Sequence, residues 1–255
     1  MLVELVTIHT LHPTLRPTQA CVFLDVDGTL IDFGPAPHAV SVDSYVLRVL
    51  HRAAAACDGA VALISGRSLA QLDALFTPRR WPAAGLHGAE RRDARGKLHV
   101  HPSGAVPIAL RAGLERLAST HPGLLLEDKG RAVALHYRQA AQLQQSLERE
   151  VQRLLERHGS DDFHLQPGDY VLELKPAGIT KAHAIAAFLG ESPFAGRTPV
   201  FAGDDLTDLH GFEAVEREGG VSIAVGPRVS AMLNVPSPAD LLELLVEFFA
   251  RETIP

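Results

Sequence analysis

Apolar and polar positions follow two different rhythms along this chain. In the first, short and fully apolar runs stop abruptly at polar residues. Cys21-Val22-Phe23-Leu24 ends in Asp25-Val26-Asp27-Gly28, Val61-Ala62-Leu63-Ile64 ends in Ser65-Gly66-Arg67, and Pro199-Val200-Phe201-Ala202-Gly203 ends in Asp204-Asp205. Continuous apolar runs of this length predict strands buried on both faces of a parallel sheet. Thr207 and Asp208 open the helix after the third run, and Gly178-Ile179-Thr180-Lys181 starts another helix whose first turn carries a lysine. Val221 to Val225 adds a later strand, and the apolar cluster from Leu241 to Phe249, interrupted by glutamates, predicts a final amphipathic helix.

The second rhythm starts after Leu86, where the charged, hairpin-like stretch Glu90 to Lys97 breaks the first. It predicts a helix over 108–119, strands over 124–129 and 132–138, a helix over 142–157, and strands over 163–166 and 170–175. That αββαββ order is an α+β module. The expected organisation is therefore an α/β core with a Rossmann-like parallel sheet (residues 1–90 and 177–255), interrupted by a cap domain (91–176). Strand parity divides the insert's residues. Leu124, Leu126, Val133, Leu135, Tyr137, Leu172 and Leu174 fall on a greasy face; Glu127, Lys129, His136, Arg138, Glu173 and Lys175 fall on the other.

Composition narrows the class. A chain of 255 residues with 46% hydrophobic content is long enough for two folded domains, and a net charge of −6 without a basic run gives no reason to expect nucleic acid. The natural partner is a small molecule. Residues 1–20 lack a basic and a long apolar region and are expected to form a short tail; no window is apolar enough for a membrane span. Two cysteines, Cys21 and Cys57, imply no disulfide framework and a cytoplasmic location. Oligomeric state is not encoded in any of these features.

Ligands of open α/β sheets bind beyond the carboxyl ends of the strands, which is where Asp25 and Asp27 fall. The sequential order DxD, SGR, lysine and GDDxTD resembles the haloacid dehalogenase-type phosphatases. A phosphate monoester is a dianion, so several carboxylates around it require added positive charge, and an all-oxygen ligand set suits Mg²⁺. The resemblance implies Asp25 as nucleophile forming an aspartyl-phosphate and Asp27 as general acid and base. It implies Mg²⁺ on Asp25, the Asp27 backbone carbonyl and Asp204, with Ser65, the Gly66 amide and Lys181 gripping the phosphoryl oxygens. Asp205 and Asp208 either orient metal waters or Lys181, or cap the following helix.

Across residues 23 to about 245 the chain is similar to the bacterial trehalose-6-phosphate phosphatases. The likeness is carried by 63–67 (LISGR), 85–90 (GLHGAE), 127–130 (EDKG), 134–138 (ALHYR), 173–176 (ELKP) with Gly178 and Lys181, and 203–208 (GDDLTD). It implies that Glu127, Lys129 and Glu173 hold the glucose ring remote from the phosphate, and it places Arg138 among the substrate-binding residues. Leu209 and Ala182 depart from the family's usual acid and glycine. Arg67 either contacts phosphate or cap oxygens or forms a surface ion pair, and His87 either lines the cleft or is structural. The same chemistry on sucrose phosphate or a mannosyl-glycerate phosphate, a sugar phosphomutase, and a non-catalytic sugar-phosphate sensor are the alternative readings.

Overall fold

The computed structural model describes residues 7–34, 40–158, 161–168 and 170–250. They fall into two compact units, one drawn from within residues 1–99 and 180–255 and one from within residues 100–179. Within the first, residues 7–20 are more than a tail: the short helix α1 (Ile8–Leu11) and a 3-10 turn (Pro17–Gln19) precede the sheet, and Ile8 and Leu15 are buried in the core. Residues 1–6 lie outside the described residues. Strand β1 (Ala20–Leu24), helix α2 (Ser44–Ala56), β2 (Val61–Ile64), α3 (Leu69–Leu75) and β3 (Ala83–Gly85) follow. The Asp43 carboxylate caps α2 by accepting from the Tyr45 amide, and Ser68 caps α3 by accepting from the Gln71 amide. Strands β4 (Glu90–Arg92) and β5 (Leu98–Val100) then extend the large sheet, so the charged stretch from Glu90 lies with the first unit's strands.

The second unit is α4 (Ile108–Thr120), β6 (Leu125–Asp128), β7 (Val133–His136), α5 (Gln144–His158), β8 (Phe163–Gly168) and β9 (Val171–Pro176). Its antiparallel sheet runs β6-β7-β9-β8. Parity holds. Leu110, Leu114 and Leu117 of α4 and Leu147 and Val151 of α5 pack with Val133, Leu135, Leu172 and Leu174 in one apolar cluster. Arg138 does not share the opposite face: β7 ends at His136, and Arg138 begins a 3-10 turn, exposed, with its guanidinium over the Tyr170 ring at 4.8 Å.

The first unit resumes with α6 (Lys181–Leu189), β10 (Thr198–Gly203), α7 (Leu209–Arg217), β11 (Val221–Val225), β12 (Leu233–Val235) and α8 (Pro238–Ala250). The sheet order is β12-β11-β10-β1-β2-β3-β4-β5, parallel from β12 to β3. β1, β2 and β11 are buried at every position, as strands covered on both faces must be. Phe23 of β1 stacks on Phe194 and meets Phe188 of α6; Phe201 of β10 meets Phe212 of α7. The chain leaves β1 toward β2 on one side and reaches β10 on the other, so the two flank β1 and a switch in strand order lies at the end of β1.

Helix α7 sits close on β10 because Gly211 presents no side chain there: a Cβ would stand 2.3 Å from Phe201 Cε1. Glycine in a helix interior ordinarily costs about 1 kcal/mol relative to alanine. At this position the sign reverses, because the Phe201 ring is fully buried and held by Phe212. Gly211→Ala should destabilise the protein by about 1–3 kcal/mol in urea unfolding; a stabilised variant would show that the ring yields.

Candidate active site

Register brings three loops to one edge. Leu24 pairs with both Ala202 and Leu63, and the Asp25 amide donates to the Ala202 carbonyl at 3.0 Å. The first polar residues after β1, β2 and β10 therefore emerge within about one residue of one another. Asp25, Ser65 and Asp204 are all buried there.

Helix α6 delivers Lys181 to the same place. Its ammonium, almost wholly buried, donates to Asp25 Oδ1 at 2.7 Å and to Asp208 Oδ1 at 2.5 Å. Burial by itself would lower the Lys181 pKa; the charges of Asp208 and Asp25, and the hydrogen bonds to them, outweigh it and hold the ammonium above its ordinary range. Asp208 has a second task. Its Oδ2 accepts from the backbone amides of Asp204 (3.0 Å) and Asp205 (3.1 Å), which sets the loop that carries Asp204. Asp205 instead caps the short 3-10 turn Leu206–Asp208, accepting from the Thr207 amide at 2.7 Å. Of the roles left open for this pair, contact with Lys181 falls to Asp208, and the two share the cap, since Asp208 Oδ2 also accepts from the Asp205 amide.

Thr29, which the sequence reading did not single out, donates toward both Asp25 Oδ2 (3.3 Å) and Asp204 Oδ1 (3.2 Å). Its only sequence signal is its position next to Gly28. Gly28 itself holds φ +82°, and a Cβ there would lie 2.4 Å from Asp204 Oδ2, so glycine is required twice over. Arg67 forms an ion pair, though a largely buried one and not a surface one. It clasps Asp27 through Nε–Oδ2 (2.7 Å) and Nη2–Oδ1 (2.6 Å), a largely buried bidentate pair, while its amide donates to Ser65 Oγ at 3.1 Å. His87 is buried on a left-handed pair of residues, Leu86 and His87 (φ +50° and +56°), with its ring against Gly66, where a Cβ would be 2.8 Å from Nε2. Its amide donates to the Ser65 carbonyl at 2.9 Å, so it buttresses the Ser65-Gly66 turn.

Oxygen atoms of Asp25, Asp204 and Asp208 lie within 4.8 Å of one another. Burial raises the Asp25 pKa; Lys181 opposes, and the charges of Asp208 and Asp204 add to the rise. Burial, with Asp208 and Asp205, pushes Asp204 up to about 7 against Lys181 and Arg228. Asp208 is committed to Lys181 and two amides, so Asp25 and Asp204 are the pair that still calls for positive charge. Hard carboxylate oxygens packed this closely fit a divalent cation.

In the second unit, Lys129 donates to Glu173 at 2.9 Å and His136 meets Glu127 at 2.8 Å on the polar face, and Lys175 is buried there. Register adds Gln166, opposite Glu173, and His164, opposite Lys175. Both were legible in β8's alternation. Burial first, then Lys175, lowers the His164 pKa.

Residues 23–237 match the trehalose-phosphatase family. The chain is 50% identical to the trehalose-6-phosphate phosphatase of Escherichia coli K12 over 228 residues, 88% of this chain and 85% of that protein. A solved structure described as a trehalose-6-phosphate phosphatase related protein is 25% identical, with a TM-score of 0.72 over 90% of this chain and 97% of its own. A haloacid dehalogenase-like hydrolase from Bacteroides thetaiotaomicron, 16% identical, covers 89% and 98% with a TM-score of 0.65, a likeness of fold alone.

The raised Asp204 pKa has a sign that can be measured. The unfolded chain releases this proton near 3.8 and the folded one near 7, so in the metal-free protein the group's stabilising contribution is lost as pH rises from about 4 to about 7. A cation needs the carboxylate. Affinity for a divalent cation should therefore fall about tenfold per pH unit below about 7 and level off above it; calorimetric titrations with Mg²⁺ at pH 6 and 8 giving equal affinity would contradict this.

Proposed function

The chain belongs to the trehalose-phosphatase family, and we propose that it hydrolyses trehalose 6-phosphate to trehalose and phosphate through an aspartyl-phosphate. The observation that carries the reading is the buried Asp25 carboxylate at the end of β1, 2.7 Å from Lys181 and beside Asp204. The 50% identical relative favours the trehalose substrate over the other sugar phosphates.

Asp25 attacks phosphorus, and a new P–O bond forms as the bond to the sugar oxygen breaks. Lys181 and the Ser65-Gly66 turn receive the charge that spreads over the phosphoryl oxygens. When held by Asp25, the Asp27 carbonyl and Asp204, Mg²⁺ supplies the positive charge that lets a dianion approach these carboxylates. Asp27 protonates the departing sugar oxygen and later takes a proton from the attacking water. Both Asp27 oxygens accept from the Arg67 guanidinium, so the pair holds this side chain in one orientation. Arg67 thus also controls where the acid points.

We assign the reading of the sugar to the polar face of the second unit's sheet: Glu127, Lys129 and Glu173, with Arg138 at its margin. The support is their clustering, since charged side chains half or more buried on one sheet face offer donors and acceptors in fixed directions. The reduced, buried thiols of Cys21 and Cys57 suit a cytoplasmic setting.

Asp25→Asn should reduce phosphate release by on the order of a thousandfold or more with folding intact; near-normal turnover would end the proposal. Asp27→Asn should slow sugar-phosphate hydrolysis far more than aryl-phosphate hydrolysis, because a phenolate departs without a proton; equal losses would remove Asp27 as the acid. Glutamine at Glu127 or Glu173 keeps the shape of each pair, and should lower kcat/KM for trehalose 6-phosphate about tenfold, about 1.4 kcal/mol of transition-state binding. A small aryl phosphate should be hydrolysed as before. If both substrates suffer alike, these residues serve structure.

A further inference from the structure

Among the described residues, three cations face the carboxylates of the site, and they differ in burial. Lys181 is buried between Asp25 and Asp208, and Arg67 clasps Asp27. The third, Arg228, stands on the loop that leaves β11, just after Gly226 turns the chain with φ +74°. Its Nη1 lies 3.5 Å from Asp204 Oδ2, and its guanidinium lies over the Phe33 ring, 4.7 Å from the centroid. Phe33 comes from the loop after β1, and its ring edge meets Asp204 across the space that Gly28 leaves: a Cβ there would be 2.5 Å from Phe33 Cε2.

The two oxygens of Asp204 thus have different neighbours. Oδ1 accepts from the Thr29 hydroxyl, whereas Oδ2 faces Arg228. With 38% of its side-chain surface accessible, Arg228 has room to swing, and the exposed Phe33 ring holds its charge nearby by cation–π attraction. We infer that Arg228 is a tethered counter-ion that competes with the divalent cation for Asp204 and so sets the metal affinity of this enzyme. A cation binding through Asp204 must push the guanidinium off Oδ2 and then sit within a few ångströms of a like charge. Both effects weaken metal binding, and both vanish when the arginine is neutral. Because the pair is partly exposed, screening keeps the effect modest, about three- to tenfold in affinity.

This rests on the metal-site reading above, and the test separates the two. Mg²⁺ is titrated calorimetrically, without substrate, into the full chain stripped with EDTA, and thermal unfolding in EDTA checks that each variant folds. Arg228→Gln should bind Mg²⁺ about three- to tenfold more tightly than the unaltered protein, and Phe33→Ala, which frees the guanidinium, should shift affinity in the same direction by less. The gain should disappear when Asp204→Asn is added to Arg228→Gln. Unchanged or weaker Mg²⁺ binding by Arg228→Gln, while the unaltered protein binds, overturns this inference alone. A gain that survives Asp204→Asn also overturns it, since Arg228 would then act as general surface charge. If the unaltered protein binds no Mg²⁺, the metal reading falls and this inference with it.

Discussion

One buried ammonium organises the site of the first unit. Lys181 is almost wholly buried and is held by two carboxylates at 2.7 and 2.5 Å, and its charge opposes the rise that burial imposes on the Asp25 pKa. Buried ions are costly unless paired, and removing one member leaves the others uncompensated. The arrangement propagates because each partner is also tied to the backbone or a hydroxyl: Asp208 to the amides of Asp204 and Asp205, and Asp25 to Thr29. Helix α6, the β1 loop and the β10 loop are thereby locked to a common centre.

That centre carries a deliberate imbalance. Lys181 neutralises one charge among Asp25, Asp204 and Asp208, and Arg228 meets a second only from the solvent side. Burial raises the pKa values of Asp25 and Asp204, the neighbouring carboxylates add to the rise, and a divalent cation would relieve both. A site that was electrically satisfied without metal would have little attraction for one. The imbalance is stored in the folded state, at the expense of stability near neutral pH, and is available for binding.

Glycines set how tightly these parts approach. A Cβ on Gly203 would stand 2.3 Å from Asp208 Cγ, and one on Gly66 would meet the His87 ring, so the carboxylate and the imidazole each pack against bare backbone. Leu86 and His87 accept a left-handed conformation to make the second contact, a strain that the surrounding strands sustain. The second unit solves a different problem. Its sheet is apolar toward α4 and α5, while its other face pairs lysine, histidine and glutamate across strands, which fixes those groups without a ligand.

Much of this was written into the chain locally. Apolar runs that stop at Asp25, Ser65 and Asp204 identify both the parallel strands and their functional ends, because burial on two faces leaves a period-free pattern that anything polar interrupts visibly. Alternation in the insert separated its greasy from its polar face for the same reason. What the tertiary structure alone decided are the pairings between distant segments. Arg67 with Asp27, Asp208 with Lys181, Thr29 with Asp204, and Arg228 with Phe33 and Asp204 all join segments separated by tens to hundreds of residues. So does the placement of 90–100, which reads as part of the insert yet forms the outer strands of the large sheet. Local pattern specifies which face a residue occupies; which partner it meets there depends on strand order and register, and those are settled by packing the whole chain.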